Sequence, residues 1–316
     1  MLFAGTASFL GFKYYILNDI VKKLKQRSQS AGNKFYIKFG TSEALCDEIV
    51  VNSEKVKFIS VHVPKHIKPV TEDQFGHYLA GLIDGDGHFS SKQQLIIVFS
   101  SADVALAYYI KERLGFGNVR KVKDKNAYLL IISKKEGLLK VINLINCKLR
   151  TLNKYNQVIN NILNHSLYNK ENIELKFNQT NDFNNHWLAG FSDADASFQI
   201  KVVSRVNRSK PEIRLNFQID QKNNAILLLI KDFFGGNIGY RLCQDTYYYG
   251  STSFGSARKV VNYFDEYHLQ SSKHLNYLKW RKAYLLIQNK EHLNDQGFKQ
   301  IIKLKNTMNS LNKDTI

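Results

Sequence analysis

Apolar and polar residues alternate with period two over two stretches in the second half of the chain. Phe198, Ile200 and Val202 alternate with Gln199, Lys201 and Val203, and Leu215, Phe217 and Ile219 with Arg214, Asn216 and Gln218. Such alternation predicts strands with one face in a core and one in solvent. The apolar run 224–234 has helix length. Residues 237–245 and 246–254 read as a second strand pair, and 256–267 and 273–288 as helices. The same order is predicted upstream: strands 87–92 and 94–100, helix 104–114, strands 119–125 and 127–134, and helices 137–147 and 153–165. Residues 164–185 are polar and turn-rich, as a linker between two units is expected to be.

The two units are copies. Residues 77–89 (HYLAGLIDGDGHF) recur 109 positions later as 186–198 (HWLAGFSDADASF), identical at His, Leu, Ala, Gly, both Asp and Phe. Downstream, 109–115 (YIKERLG) matches 229–235 (LIKDFFG), now 120 positions apart. The second copy therefore carries eleven extra residues, which fit the loop near 205–211. Matching units that differ only in loop length indicate duplication of one module.

Each repeated segment is small and apolar and ends in two acids, Asp84 and Asp86, then Asp193 and Asp195. Glycine on one helix face lets two backbones approach closely. Helices packed at Gly81 and Gly190 would bring their acidic ends together. A helix C-terminus is the negative pole, so carboxylates there are disfavoured, and adjacent carboxylates repel. Divalent cations relieve both costs, and oxygen-only ligands suit Mg²⁺. Paired acids holding metal beside a phosphate suit in-line phosphodiester hydrolysis. The plainer reading of such acids is as caps or turn residues; two matched copies in a basic chain weigh against it.

Charge and composition sharpen this. The 316 residues carry 45 Lys and Arg against 27 Asp and Glu, a net charge of +18. That excess points to a polyanion, with nucleic acid ahead of an anionic membrane. The hydrophobic share of 44% excludes a disordered chain. Cys46, Cys147 and Cys243 form no CxxC pair, so a zinc ribbon is excluded and a disulfide framework is not expected; they are expected in the core. No run of 18 apolar residues predicts a spanning helix, and the broken apolar start lacks the features of a signal peptide. Abundant Asn, Lys, Ile, Tyr and Phe point to an AT-rich genome such as a mitochondrial one.

The string at residues 79–87, LAGLIDGDG, and its variant at 188–196, LAGFSDADA, resemble the LAGLIDADG motif of two-motif, single-chain homing endonucleases encoded in organellar group I introns. The resemblance covers about residues 75–290. It implies an α+β fold of two pseudo-symmetric αββαββα halves, with motif helices at the interface and antiparallel sheets forming a DNA-binding saddle. It implies that Asp86 and Asp195 bind metal, Mg²⁺ or Mn²⁺, and that Asp84 and Asp193 are structural. It places a polar catalytic side chain at the end of the second strand, Gln221, whose counterpart is Ser101, and a basic one near the last helix, Lys273, whose counterpart is Asn153 with Lys154 alongside. Ala196 replaces the last motif glycine and is expected to resist a positive φ there.

Outward strand positions supply DNA-contacting candidates: His88, Ser90, Lys92, Gln94, Arg120 and Lys123 in the first copy, and Gln199, Lys201, Arg205, Arg214, Asn216, Gln218 and Arg241 in the second. In the first copy Gln94 is followed on alternate positions by Ile96 and Val98, a poorer reading surface. The expected organisation is an N-terminal extension 1–70 (leftover upstream coding sequence, a targeting segment, or a strap across the first half), a first repeat 71–168, a linker 169–184, a second repeat 185–293 and a basic tail 294–316. The expected function is site-specific, metal-dependent cleavage of a long double-stranded DNA target by a mitochondrial monomer, with no membrane partner, promoting intron mobility. The alternatives are an RNA maturase that assists group I intron splicing, alone or as a second activity, and a metal-free regulator built on the same fold.

Overall fold

The structure, a computed structural model, describes residues 58–204 and 211–308. These belong to one compact unit, Glu54–Ile316; a separate unit, Met1–Ser53, lies outside the described residues, as do Cys46 and Arg205.

The first motif forms helix α1, Glu72–Asp86. Thr71 starts it with a capping box: its hydroxyl accepts from Gln74 N (3.1 Å), and the Gln74 side chain accepts from Thr71 N (3.3 Å). From Tyr78 to Asp84 every residue is buried, so this helix is apolar all round and needs neighbours on all sides. It runs directly into β1, Gly87–Ser90, which pairs with β2, Gln94–Ser100. Then follow α2 (Val104–Leu114), β3 (Asn118–Lys121), β4 (Ala127–Ile132), α3 (Lys135–Ile145) and α4 (Leu152–Val158), which continues through a π turn, Ile159–Leu163.

The second half repeats this order: α5 (Trp187–Asp195), β5 (Ala196–Val203), β6 (Glu212–Gln221), α6 (Ala225–Phe234), β7 (Asn237–Arg241), β8 (Thr246–Gly250), α7 (Phe254–Glu266) and α8 (Lys273–Gln288). A further helix, α9 (Asp295–Thr307), follows. The sheets have the same topology, β1-β2-β4-β3 and β5-β6-β8-β7, antiparallel throughout. The extra residues of the second copy lengthen its first hairpin, with strands of eight and ten residues against four and seven.

Each sheet buries one face. Phe89, Leu95, Ile97, Phe99, Leu130 and Ile132 line the first core, and Phe198, Ile200, Leu215, Phe217, Ile219 and Tyr249 the second. Burial of each such side chain is worth about 1.5–3 kcal/mol before conformational entropy is charged against it.

Residues 59–67 form a strap, and it crosses the second half rather than the first. Ile59 exchanges two hydrogen bonds with the Gln288 side chain (2.9 and 3.0 Å). Arg281, 1% exposed, donates to Ser60 O and His62 O (2.9 and 3.1 Å) and pairs with Asp265 at 2.8 Å. Beyond the strap, Lys68 lies over the Tyr109 ring, and Arg113 donates to Val70 O, which returns the chain to the first half.

Two expectations fail. Cys147 and Cys243 are exposed, not in the core: Cys147 sits at positive φ just beyond α3, and Cys243 in the turn between β7 and β8. Position 196 needs no positive φ, since Gly87 and Ala196 are both extended (φ −74 and −88). Gly87 is constrained by space instead, because a Cβ there would come within 3 Å of Ile83 backbone atoms.

Candidate active site

Helices α1 and α5 pack backbone to backbone. A Cβ on Gly81 would collide with Trp187 O, and one on Gly190 with Tyr78 O. Near the C-terminal end, a Cβ on Gly85 would lie 3.0 Å from Asp195 Oδ2. The spacing of small residues thus sets how closely the two helix ends approach, and Asp86 and Asp195 are their last residues.

The inner acids lock this arrangement. Asp84, 3% exposed, accepts hydrogen bonds from Arg150 N (2.7 Å), Thr151 N (3.1 Å) and the Thr151 hydroxyl, and from Trp187 Nε1 (2.9 Å) of the opposite motif helix. Asp193 mirrors it, accepting from Gln270 N (2.7 Å), Ser271 N (3.2 Å) and the Ser271 hydroxyl, and from Tyr78 OH (2.7 Å). Tyr78 and Trp187 are equivalent positions, so the two bonds are reciprocal. Burial pushes the Asp84 carboxyl up to about 6, opposed by its four donors, and pushes Asp193 up as well.

The outer acids face a different environment. Burial, reinforced by the charge of Asp86, raises Asp195 to about 6, and the Gln221 hydrogen bond opposes the rise. Asp86 is raised too, chiefly by burial, with Lys273 and Lys154 opposing. Asp86 nonetheless keeps an exposed surface. Gln221 Nε2 donates to Asp195 Oδ2 at 2.6 Å. Lys273 Nζ donates to Ser192 O (3.2 Å) and Ala194 O (2.6 Å) at the end of α5. In the first half it is Lys154, not Asn153, that donates to Gly87 O just past α1; Asn153 instead accepts from Gln157. Both ammonium groups are held below the usual lysine range by burial, partly offset by the surrounding aspartates. Lysines over these carbonyls offset the negative helix ends.

Ser101 opens a 3₁₀ turn, Ser101–Asp103, and its hydroxyl makes no hydrogen bond to Asp86 among the described residues. The side chain that the sequence reading missed is Asp103. It accepts from Ser272 N (2.6 Å) at the start of α8 and from the Ser100 hydroxyl (2.7 Å), and its charge reaches Asp86 and Lys273. The available signal was its place just after β2, beside Ser100.

No group of three or more His, Cys, Asp or Glu among the described residues is arranged to hold a metal. Asp86 and Asp195 do fit a divalent ion. They are two hard oxygen donors whose ionisation is disfavoured by burial, and at Asp195 also by the charge of Asp86, so a cation between them gains what the protein withholds. Further ligands would come from substrate and water.

The outward sheet faces differ between halves. On the second, Asn216 Nδ2 donates to Gln199 Oε1 (3.3 Å) and Gln218 Oε1 (3.2 Å), Gln218 donates to Asp220 (3.0 Å), and Arg241 pairs with Asp220 (2.9 Å) and lies over the Tyr248 ring. Asn216 itself is 4% exposed, and its amide bonds to the side chains of Gln199 and Gln218 on the same face. Lys201 is exposed, and Arg214 is paired with Glu212 (2.8 Å). On the first half His88, Gln94 and Arg120 face outward at the edges, Ser90 shares that face by register but has a buried hydroxyl, and Lys92 and Lys123 occupy exposed turns.

The LAGLIDADG endonuclease family profile matches residues 79–164 and 188–284. An uncharacterized cox1 intron-2 37.2 kDa protein of Schizosaccharomyces pombe is 59% identical, covering 96% of this chain and 95% of that protein. The intron-encoded DNA endonuclease aI3 of Saccharomyces cerevisiae is 32% identical over 69% of this chain and 65% of its own length. The crystal structure of the I-LtrWI LAGLIDADG homing endonuclease bound to target DNA superposes with a TM-score of 0.61 at 20% identity, over 76% of this chain and 99% of that one. That last likeness bears on the fold alone, and it matches the two-halved architecture described above.

Proposed function

Since the chain belongs to the LAGLIDADG endonuclease family, we propose that it is a site-specific double-strand DNA homing endonuclease, encoded in a mitochondrial group I intron and acting as a monomer. The observation that carries this reading is the meeting of two negative helix ends at Asp86 and Asp195, on helices packed backbone to backbone, where the charge of Asp86 raises the tendency of Asp195 to hold a proton or a cation. A chain that only bound nucleic acid would gain nothing from two repelling carboxylates facing a polyanion.

In this reading Asp86 and Asp195 hold Mg²⁺ or Mn²⁺. When bound, the divalent ion supplies Lewis-acid chemistry to a phosphodiester. Gln221 holds Asp195 in place through its 2.6 Å hydrogen bond. Lys154 and Lys273 neutralise the helix ends and offer positive charge where a phosphate would lose its counterions. Asp84 and Asp193 hold the starts of α4 and α8, and therefore those lysines, in register with the acids. The sheet faces on either side place the duplex across this centre.

The test is a supercoiled plasmid carrying the uninterrupted exon junction of the host gene, incubated with the full chain and Mg²⁺. Linearisation by the wild type, lost in Asp86→Asn with Asp195→Asn, is the expected result. Intact plasmid alongside accelerated splicing of the intron transcript, unchanged in that double variant, would overturn the nuclease reading in favour of a maturase.

A further inference from the structure

The two outward sheet faces are built of opposite chemistry at equivalent positions. Where the second sheet has Gln218 and Asp220 on β6, the first has Ile96 and Val98 on β2. Where β8 has Gly250, paired with Gln218, and Tyr248, paired with Asp220, β4 has Ile131, paired with Ile96, and Leu129, paired with Val98. These four aliphatic side chains occupy the two central strands of the first sheet, on the face turned from the core. Their neighbours Leu95, Ile97, Leu130 and Ile132 are fully buried, whereas Val98 is 47% exposed.

An open aliphatic strip on a flat sheet is a liability in solution. It is tolerable where the working state covers it. Two features say what covers it. The strip is continuous with the acid centre: β1 leaves Asp86 directly, and His88 pairs with Ile96. It is also framed by cations, with Arg120 paired to Leu129 and Lys92 and Lys123 in the flanking turns. A cationic frame around an aliphatic floor fits a duplex, with phosphates at the rim and base edges within. The apolar group that a base pair presents in the major groove is the thymine methyl.

We propose that the first sheet reads thymine methyl groups through Ile96, Val98, Leu129 and Ile131, so that its half of the target is rich in A·T pairs, while the second sheet reads hydrogen-bonding edges of a mixed half-site. This rests on the endonuclease reading above.

A randomised duplex pool, selected with the full-length protein in Ca²⁺, defines the two half-sites. Deoxyuridine then replaces thymidine in one half at a time, which removes the methyl and leaves pairing intact. Affinity falls about fourfold for each contacted methyl lost, the transfer worth of one buried methyl group. The effect is confined to one half, and Val98→Thr, conservative in shape, relaxes selection at a single position of that half. Equal indifference to deoxyuridine in both halves, or a G·C-rich consensus in the half altered by Val98→Thr, overturns the inference and leaves the nuclease reading intact. A pool in which no duplex is enriched overturns both.

Discussion

The close approach of the two motif helices yields the sharpest prediction, and Gly81→Ala tests it. The added methyl would overlap Trp187 O and sit 2.8 Å from Phe191 N, both backbone atoms that cannot rotate away. Carbon contacts settle near 3.5–4.0 Å, so the helices must separate by roughly 1 Å or more. That stretches the Trp187–Asp84 and Tyr78–Asp193 bonds, now 2.9 and 2.7 Å, past the useful range. Each bond to a charged acceptor is worth about 1.5–3 kcal/mol, and overpacking adds about 1–3 kcal/mol. The expected loss is about 4–9 kcal/mol, a large part of a typical domain's stability. Gly115→Ala is the control. Gly115 has φ +74 and open space around it, so only a left-handed penalty of about 1–2 kcal/mol is expected. Urea denaturation followed by tryptophan fluorescence measures both. Gly85→Ala, whose new methyl would overlap the fixed Ala194 Cβ and meet the tip of Asp195, is expected to be destabilised as well and to lose cleavage. If Gly81→Ala falls within 1 kcal/mol of Gly115→Ala, on the order of the control penalty itself, backbone contact does not set the spacing of the acids.

Three further outcomes follow from the same geometry. Asp84 and Asp195 have folded pKa values near 6 against 3.8 in the reference state, so their ionisation costs stability as pH rises from about 4 to 6; a divalent ion that binds ionised Asp195 should therefore raise Tm more at pH 7.5 than at pH 5, and an equal gain at both would count against metal at that site. Gln221→Ala frees one outer acid and leaves the other half untouched, so nicked circles should accumulate on an agarose gel before linear product; uniform slowing of both cuts would contradict a half-specific role. Arg281→Met leaves the partly exposed Asp265 without its guanidinium partner and releases the strap at Ser60 and His62, for an expected loss of about 1.5–3 kcal/mol in thermal unfolding, checked by new protease sensitivity near residue 60.

The duplication, the strand alternation and the acidic motif ends were all legible because each is a local pattern repeated 109 or 120 residues apart. Helices 104–114 and 273–288 match α2 and α8 to the residue. What could not be read was contact between elements. Asp103 caps a helix 169 residues away, and no local pattern encodes that pairing. Lys154 takes the place expected of Asn153: counted from the matched hydroxyls Thr151 and Ser271, it lies three residues on, whereas Lys273 lies two, and an offset of that kind is not visible in the sequence. Asn216 reads as a groove-facing amide from alternation alone, but its neighbours on the same face cover it. The expected backbone strain at Ala196 was an inference from glycine's presence in the other copy, where steric room rather than dihedral freedom is the demand.

The crossed bonds of Tyr78 to Asp193 and Trp187 to Asp84 mean that each half carries the donor that completes the other's buried acid. Neither half alone is a finished folding unit. Anyone recombining halves between relatives to build a new target specificity must therefore treat positions 78 and 187 as belonging to the opposite parent, or accept a stranded carboxylate at the seam.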